Sequence, residues 1–82
     1  MSYFVYILEC SDNSLYTGIT TNIEKRLNEH NTSPKGAKYT KARRPVKLVY
    51  QEASEDRSSA SKREYAIKKF SRVKKLELIA KK

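Results

Sequence analysis

The sequence predicts a small α/β protein with one domain built on a three-stranded sheet. Its 82 residues are too few for two hydrophobic cores, because a domain usually holds about 100–200 residues. Three segments rich in aromatic and β-branched residues predict strands, and three segments with apolar residues at helical spacing predict helices. In chain order the elements are β-β-α-β-α-α, and we expect a single domain over residues 1–82.

The first two strands, residues 3–10 and 15–20, predict a β-hairpin. Residues 3–10 are apolar on both alternating sets of positions, which indicates the central strand of the sheet. A two-residue turn would place Tyr6 and Tyr16 on opposite faces. A three-residue loop places them on one face, and its last residue, Asn13, tolerates the left-handed backbone that this loop needs. We expect the three-residue loop.

The other elements are predicted from caps and periodicity. Thr21, followed three residues later by Glu24, is a capping box and predicts a helix that ends near Asn31. The later elements are, in order, a loop (32–45), a third strand (46–53), a helix (56–70) and a last helix capped by Ser71.

The charge is strongly basic and is concentrated in the second part of the chain. Lys and Arg number 18 against 9 Asp and Glu, and residues 1–34 carry a net −2 against +11 for residues 35–82. This asymmetry favours DNA or another nucleic acid as partner over an anionic membrane or a charge that serves solubility alone. The predicted contacts lie in the long loop: Lys35, Lys38, Tyr39, Lys41, Arg43 and Arg44. The alternative footprint is Lys62, Arg63, Lys68 and Lys69.

Several protein classes do not fit the sequence. No segment approaches the ~20 apolar residues of a membrane-spanning helix, and the first residues lack the pattern of a signal peptide. The single cysteine, Cys10, provides neither an internal disulfide nor a cysteine-based zinc site. Phosphate-binding glycine loops and zinc clusters are missing as well. We therefore expect a cytoplasmic protein that does not bind membranes.

Glu64 is the most unusual residue of the predicted helices. It follows Ala60 by four positions and precedes Ile67 by three, which places its carboxylate on the apolar stripe of the helix. A carboxylate there is costly unless it is paired or bound to a metal ion. Both a salt bridge and a metal-binding or catalytic role remain open at this point.

Four further side chains could act at the same site. Arg26 and His30 are one turn apart, so that both could face a phosphate, one as a bidentate donor and the other as a proton carrier. His30, the only histidine, could equally be a buried structural residue. Tyr6 and Tyr16 either pack on the sheet or direct their hydroxyls into a common cleft.

The hairpin register also predicts where the two tyrosines point. Gly18 lies opposite Tyr6, and its missing side chain leaves space over which the Tyr6 ring can lean. We expect the hydroxyls of Tyr6 and Tyr16 on the face of the sheet that Arg26 and Glu64 share.

Together these residues resemble the GIY-YIG nuclease family. Phe4-Val5-Tyr6 retains the tyrosine of the first motif, and Tyr16-Thr17-Gly18 matches the second motif closely. The ten-residue steps from Tyr6 to Tyr16 and on to Arg26 fit the family's spacing, and His30 and Glu64 follow. The resemblance covers nearly the whole chain, above all to small stand-alone bacterial members that share a Leu-Tyr-Thr-Gly core and a Lys-Tyr-Thr segment before Arg-Arg-Pro.

The resemblance implies an α+β domain whose antiparallel three-stranded sheet is flanked by helices. It implies an endonuclease that hydrolyses phosphodiester bonds of DNA or structured nucleic acid, with one divalent metal ion, Mg²⁺ or Mn²⁺, held by Glu64. Arg26 would contact the scissile phosphate, and Tyr6, Tyr16 and His30 would position or deprotonate the attacking water. Two positions depart from the family pattern, with Leu76 in place of an Asn of many members and Ile19 in place of a Lys of some.

Two other functions compete with a nuclease. One is a non-catalytic nucleic-acid-binding module that retains the fold, and the other is a small ribosome-associated protein that uses only its charge. An inward carboxylate at Glu64 favours the nuclease, because it would repel phosphate in a pure binding module. We expect a monomer, with any sequence specificity supplied by a protein partner, since 82 residues leave little room for a second domain.

Overall fold

The computed structural model describes residues 2–33 and 35–81. The predicted order of strands and helices is confirmed, with one additional short helix in the loop before the third strand. The sheet is antiparallel with strand order β2-β1-β3. No helix in these residues is long and apolar enough to span a membrane. The elements are β1 (Tyr3–Glu9), β2 (Leu15–Thr20), α1 (Ile23–Thr32), α2 (Lys38–Lys41), β3 (Lys47–Ser54), α3 (Arg57–Lys68) and α4 (Arg72–Ala80).

The hairpin between β1 and β2 has the predicted register. Asn13 adopts a left-handed backbone with φ of 68°, and the Cys10 N–H donates to the Ser14 carbonyl at 2.9 Å. Tyr6 therefore pairs with Gly18, and Leu8 pairs with Tyr16. Since side chains alternate along a strand, both tyrosines lie on the same face of the sheet.

Helices cover both faces of the sheet, which explains why β1 is apolar on both. Val5 and Ile7 pack with Ala60 and Ile67 of α3 and with residues of α4. The opposite face, which carries Tyr6, Tyr16, Leu8 and Cys10, packs against Ile23 and Leu27 of α1. The expectation that the tyrosines share a face with Arg26 is thus confirmed for α1. Helix α3, which carries Glu64, packs on the other face of the sheet, but the Glu64 carboxylate is close enough to Tyr6 to contribute to the raised pKa of that phenol.

Local capping interactions fix where the helices begin. Asn22, rather than the predicted Thr21, caps α1, and its side-chain oxygen accepts from the Lys25 N–H at 3.1 Å. Asp56 caps α3 and Ser71 caps α4 in the same way. Helix α2 lies inside the segment predicted as an unstructured loop, and its Thr40 is fully buried.

Candidate active site

The candidate site is built around Tyr6 of β1 and His30 of α1. His30 is fully buried and Tyr6 is only 3% exposed. The Tyr6 hydroxyl lies 2.8 Å from His30 Nε2. The Tyr6 ring lies over Gly18, as predicted, because a Cβ at Gly18 would be 2.5 Å from the Tyr6 hydroxyl oxygen. The fold thus brings these two predicted site residues into direct contact.

Tyr16 joins the site through its ring. Its centroid is 5.2 Å from that of His30, in an edge-to-face arrangement. On another side Tyr39 of α2 stacks on Tyr16 at 6.0 Å with an interplanar angle of 28°. The Arg43 guanidinium lies 3.9 Å from the centroid of the Tyr39 ring. Tyr16 is therefore held in an aromatic column, and Tyr39, predicted to contact nucleic acid, supports this column.

Arg26 is the cation of the site. It projects from α1 and is partly exposed, with a salt bridge to Glu29 at 3.0 Å and a hydrogen bond to the Lys35 carbonyl at 3.1 Å. Its guanidinium also lies beside the Tyr6 hydroxyl. A partly exposed arginine at a buried phenol is placed to meet an anion that approaches from solvent.

The surroundings shift the proton affinities of Tyr6 and His30 in opposite directions. Burial raises the pKa of Tyr6 to about 12, although the neighbouring Arg26 opposes this shift. Burial, followed by the positive charges of Arg26 and Arg44, lowers the pKa of His30 to about 4. Without a bound ligand Tyr6 therefore keeps its proton, and His30 is neutral at physiological pH.

Glu64 approaches the site from the other layer. Its carboxylate is close enough to Tyr6 that its negative charge contributes to the raised pKa of that phenol. It also forms a salt bridge with Lys68, one turn later on α3, at 3.3 Å. The Lys68 side chain is 51% exposed, and such surface pairs are usually weak, about 0.2–1 kcal/mol. The Glu64 carboxylate is thus paired with Lys68, but the weak salt bridge leaves it free to exchange this partner for another cation.

A metal site made only of protein side chains is not present in the described residues. Over residues 2–33 and 35–81, no group of three or more His, Cys, Asp or Glu side chains is placed to hold a metal ion. A metal at Glu64 would therefore take most of its ligands from water and from the phosphate of a substrate, which is a common arrangement for Mg²⁺.

The basic side chains of the loop predicted to bind nucleic acid are of two kinds, those bonded within the fold and those exposed to solvent. Arg43 bonds Asp12 at 3.1 Å and the Tyr39 carbonyl at 2.9 Å. Arg44 donates to the carbonyls of His30 and Ser33 at 2.6 and 2.7 Å, at the C-terminus of α1. Both arginines thus hold the loop to the rest of the fold. The other predicted cations of this segment, Lys35, Lys38 and Lys41, are exposed.

Two residues that the sequence does not mark as site residues, Thr40 and Gly36, shape the site. Thr40 Oγ1 lies 2.8 Å from His30 Nδ1. Gly36 lets the loop approach α1, because a Cβ there would be 2.6 Å from the Glu29 carbonyl oxygen and 2.9 Å from the His30 Cα. The only available signal was the Lys-Tyr-Thr segment, which by itself indicates no contact with His30.

Comparison with known protein families identifies the domain. The GIY-YIG catalytic domain matches residues 2–77. The chain belongs to the GIY-YIG family. It is therefore a member of a nuclease family.

Similar proteins occur in several bacteria. The chain is 62% identical over 78 residues to UPF0213 protein DP2720 of Desulfotalea psychrophila, which covers 95% of this chain and 71% of that protein. It is 61% identical over 77 residues to UPF0213 protein SH2523 of Staphylococcus haemolyticus, covering 94% and 93%.

Two solution NMR structures have the same fold. UPF0213 protein BH0048 of Bacillus halodurans superposes with a TM-score of 0.64 at 46% identity, covering 100% of this chain and 86% of that one. Protein EF2693 of E. faecalis superposes with a TM-score of 0.67 at 46% identity, covering 99% and 85%. The α+β fold of the GIY-YIG domain is thus shared with these proteins.

Proposed function

We propose that this protein is a metal-dependent endonuclease that hydrolyses phosphodiester bonds of DNA or of structured nucleic acid. The observation that carries the proposal is the convergence of Tyr6, Tyr16, Arg26 and His30 on one face of a GIY-YIG domain, with Tyr6 bonded to His30. A buried phenol beside a partly exposed guanidinium suits the binding of a phosphate and an attacking water.

Each residue has a role that follows from its surroundings. Arg26 binds the scissile phosphate and offsets the negative charge that develops on its oxygens. Tyr6 orients the attacking water through its hydroxyl oxygen, with His30 behind it. Tyr16, fixed between His30 and Tyr39, limits where the phosphate can lie.

Glu64 would hold the divalent metal ion, Mg²⁺ or Mn²⁺. Its oxygen donors suit these hard cations, and the salt bridge to Lys68 is exposed enough to be exchanged. When bound, the metal supplies polarisation of the phosphoryl oxygens and a lower pKa for a bound water.

The nucleic-acid footprint follows the exposed lysines rather than the whole predicted set. Lys35, Lys38 and Lys41 are exposed in and just before α2, and the Lys35 carbonyl accepts a hydrogen bond from Arg26. Arg43 and Arg44 contribute indirectly, because their guanidinium groups hold the loop. Binding is dominated by the backbone phosphates, and a protein partner supplies any sequence preference to this cytoplasmic monomer.

A non-catalytic nucleic-acid-binding module is the second candidate. One observation favours it, namely that burial raises the pKa of Tyr6 to about 12. A phenol with so high a pKa is a poor base unless a bound cation or its histidine neighbour takes part. The two candidates share the footprint and differ in whether the bond is cut.

The decisive experiment compares cleavage and binding in matched variants. Supercoiled plasmid and short branched DNA are incubated with Mg²⁺ or Mn²⁺ and with wild type, Glu64→Gln or Glu77→Gln. Glu77 is an exposed carboxylate of α4, so its substitution removes the same charge elsewhere. Glu64→Gln should abolish cleavage and leave DNA binding equal or tighter, because a negative charge facing phosphate is removed. Glu77→Gln should cleave like wild type.

Cleavage by Glu64→Gln at the wild-type rate would end the assignment of the metal to Glu64. No cleavage by wild type on any substrate, together with tight binding, would favour the binding module.

A further inference from the structure

The buried hydrogen bonds behind Tyr6 form a single chain that ends at the Ala37 carbonyl. Because this carbonyl can only accept, it determines which group donates in every other hydrogen bond of the chain. Tyr6 contacts His30 Nε2 at 2.8 Å, His30 Nδ1 contacts Thr40 Oγ1 at 2.8 Å, and Thr40 Oγ1 contacts the Ala37 carbonyl at 2.9 Å. A carbonyl only accepts, so the Thr40 hydroxyl donates to it. Thr40 Oγ1 then accepts from His30 Nδ1–H, and the unprotonated Nε2 accepts from the Tyr6 hydroxyl.

The opposite direction leaves the Tyr6 proton without an acceptor and the Thr40 hydroxyl oxygen facing a carbonyl oxygen with no proton between them. If Nε2 carried the proton, Thr40 would donate to Nδ1 and its oxygen would face the Ala37 carbonyl at 2.9 Å with no proton between them. Tyr6 would also have to donate elsewhere. Its other polar neighbour, Arg26, is a donor only, and His30 is the sole acceptor found for Tyr6 within the described residues. The first direction satisfies every group of the chain.

We propose that Thr40 is a positioning residue, which fixes the Nδ1–H tautomer of His30 so that Nε2 is held ready to accept the Tyr6 proton. The proposal deepens the proposed function, on which its catalytic part rests. The buried Thr40 of α2 thus has a role different from that of the exposed lysines of the same helix, Lys38 and Lys41. Helix α2 serves the chemistry as well as the footprint.

The loop is built to deliver Thr40 to this point. Gly36 permits a backbone approach to α1 that a Cβ would block at 2.6 Å. Arg44 holds the far end of the segment to the α1 carbonyls. Both Thr40 and His30 are fully buried, so water does not compete for their hydrogen bond. The tautomer is consequently set by protein groups alone.

The reaction then has a defined proton path. As the water oxygen bonds to phosphorus and the bond to the leaving alkoxide breaks, a water proton passes to Tyr6 Oη. The Tyr6 proton passes at the same time to His30 Nε2, and the alkoxide takes a proton from solvent. His30 becomes a short-lived imidazolium, because its lowered pKa favours the neutral ring, and its Nδ1–H still donates to Thr40 Oγ1. Tyr6 never has to exist as a free phenolate, which its raised pKa disfavours.

The test uses Thr40→Val, which removes the hydroxyl at nearly constant shape, and Thr40→Ser, which retains it. The ring nitrogens of His30 are recorded by ¹⁵N NMR, and kcat and KM are measured for DNA cleavage. In wild type and Thr40→Ser, Nδ1 should carry the proton and Nε2 should not. In Thr40→Val the buried Nδ1–H loses its acceptor, so the fraction of His30 protonated on Nε2 should rise above that of wild type, and kcat should fall about 10–100-fold with KM little changed, a size typical of supporting residues.

A proton on Nε2 in wild type would overturn the proposal, as would a Thr40→Val protein that retains the wild-type tautomer and kcat. If Thr40→Val does not fold, the wild-type and Thr40→Ser tautomers decide. If wild type cleaves nothing, the proposed nuclease function fails, while the NMR result still confirms or refutes the positioning of His30 by Thr40.

Discussion

Gly18→Ala tests the contact on which the candidate site depends. The backbone of Gly18 does not require glycine, since no glycine of the described residues has a positive φ. The obstacle is the Tyr6 ring, because the new methyl group would lie 2.5 Å from Tyr6 Oη and 2.7 Å from Cζ. Those atoms belong to the end of a side chain, but Tyr6 is 3% exposed and bonded to His30. It has little space into which it can move.

The expected magnitude results from two opposing effects. Replacing glycine by alanine where the backbone allows it stabilises a protein by about 0.4–1 kcal/mol, through the unfolded state. Overpacking a buried contact costs about 1–3 kcal/mol, and loss of the Tyr6–His30 hydrogen bond adds about 0.5–1.5 kcal/mol. We therefore expect a net loss of about 1–3 kcal/mol and, at about 4–8 °C per kcal/mol for a domain of this size, a clearly lower Tm.

The assay is urea unfolding of four proteins: wild type, Gly18→Ala, Tyr6→Leu and the double variant. Leucine ends before the positions of Oη and Cζ, so Gly18→Ala should be neutral or stabilising in the Tyr6→Leu background. Gly18→Ala should also lower cleavage, because it displaces the Tyr6 hydroxyl from His30. If Gly18→Ala is as stable as wild type, or costs the same in both backgrounds, the Tyr6 ring does not lie over Gly18 and the reasoning is refuted.

Three further predictions concern pH, the internal arginine and the lysines. In the folded state the pKa of His30 is lowered to about 4 from 6.5. Its contribution to stability is therefore complete above pH 6.5 and is lost as the pH falls towards 4, by up to about 3 kcal/mol. Urea unfolding at pH 7 and pH 4.5 should show this loss in wild type and much less of it in His30→Gln. Arg44→Ala, which removes the hydrogen bonds to the α1 carbonyls, should cost about 1.5–3 kcal/mol in thermal unfolding, and an unchanged Tm would contradict its structural role. The slope of log affinity against log salt for duplex DNA should flatten by about 0.9 for each of Lys35, Lys38 and Lys41 that contacts a phosphate. Substituting all three with no change in slope would move the footprint to α3.

Local signals in the sequence were sufficient for most of the fold. Asn13 predicted the hairpin loop because few non-glycine residues adopt a left-handed backbone, and Ser71 predicted the start of α4 because its hydroxyl caps the first turn. At α1, Thr21 and Asn22 are both capping types, and the choice of Asn22 depends on the adjoining strand, whose Thr20 hydroxyl accepts from the Asn22 N–H. Helix α2 was missed because four residues show no periodicity and are held by contacts with α1.

For the site residues, too, some properties follow from the sequence and others only from the tertiary structure. The sequence alone determined which side chains are candidates, since the spacing of Tyr6, Tyr16 and Arg26 is a property of the chain, and the alternation of strand residues set the face on which the tyrosines lie. Only the tertiary structure decided that Arg44 binds helix carbonyls while a nearby lysine remains exposed, because a guanidinium donates equally well to a carbonyl or a phosphate. It alone placed Thr40 behind His30, since a hydrogen bond across ten residues depends on how α2 packs on α1 and leaves no periodic trace in the sequence.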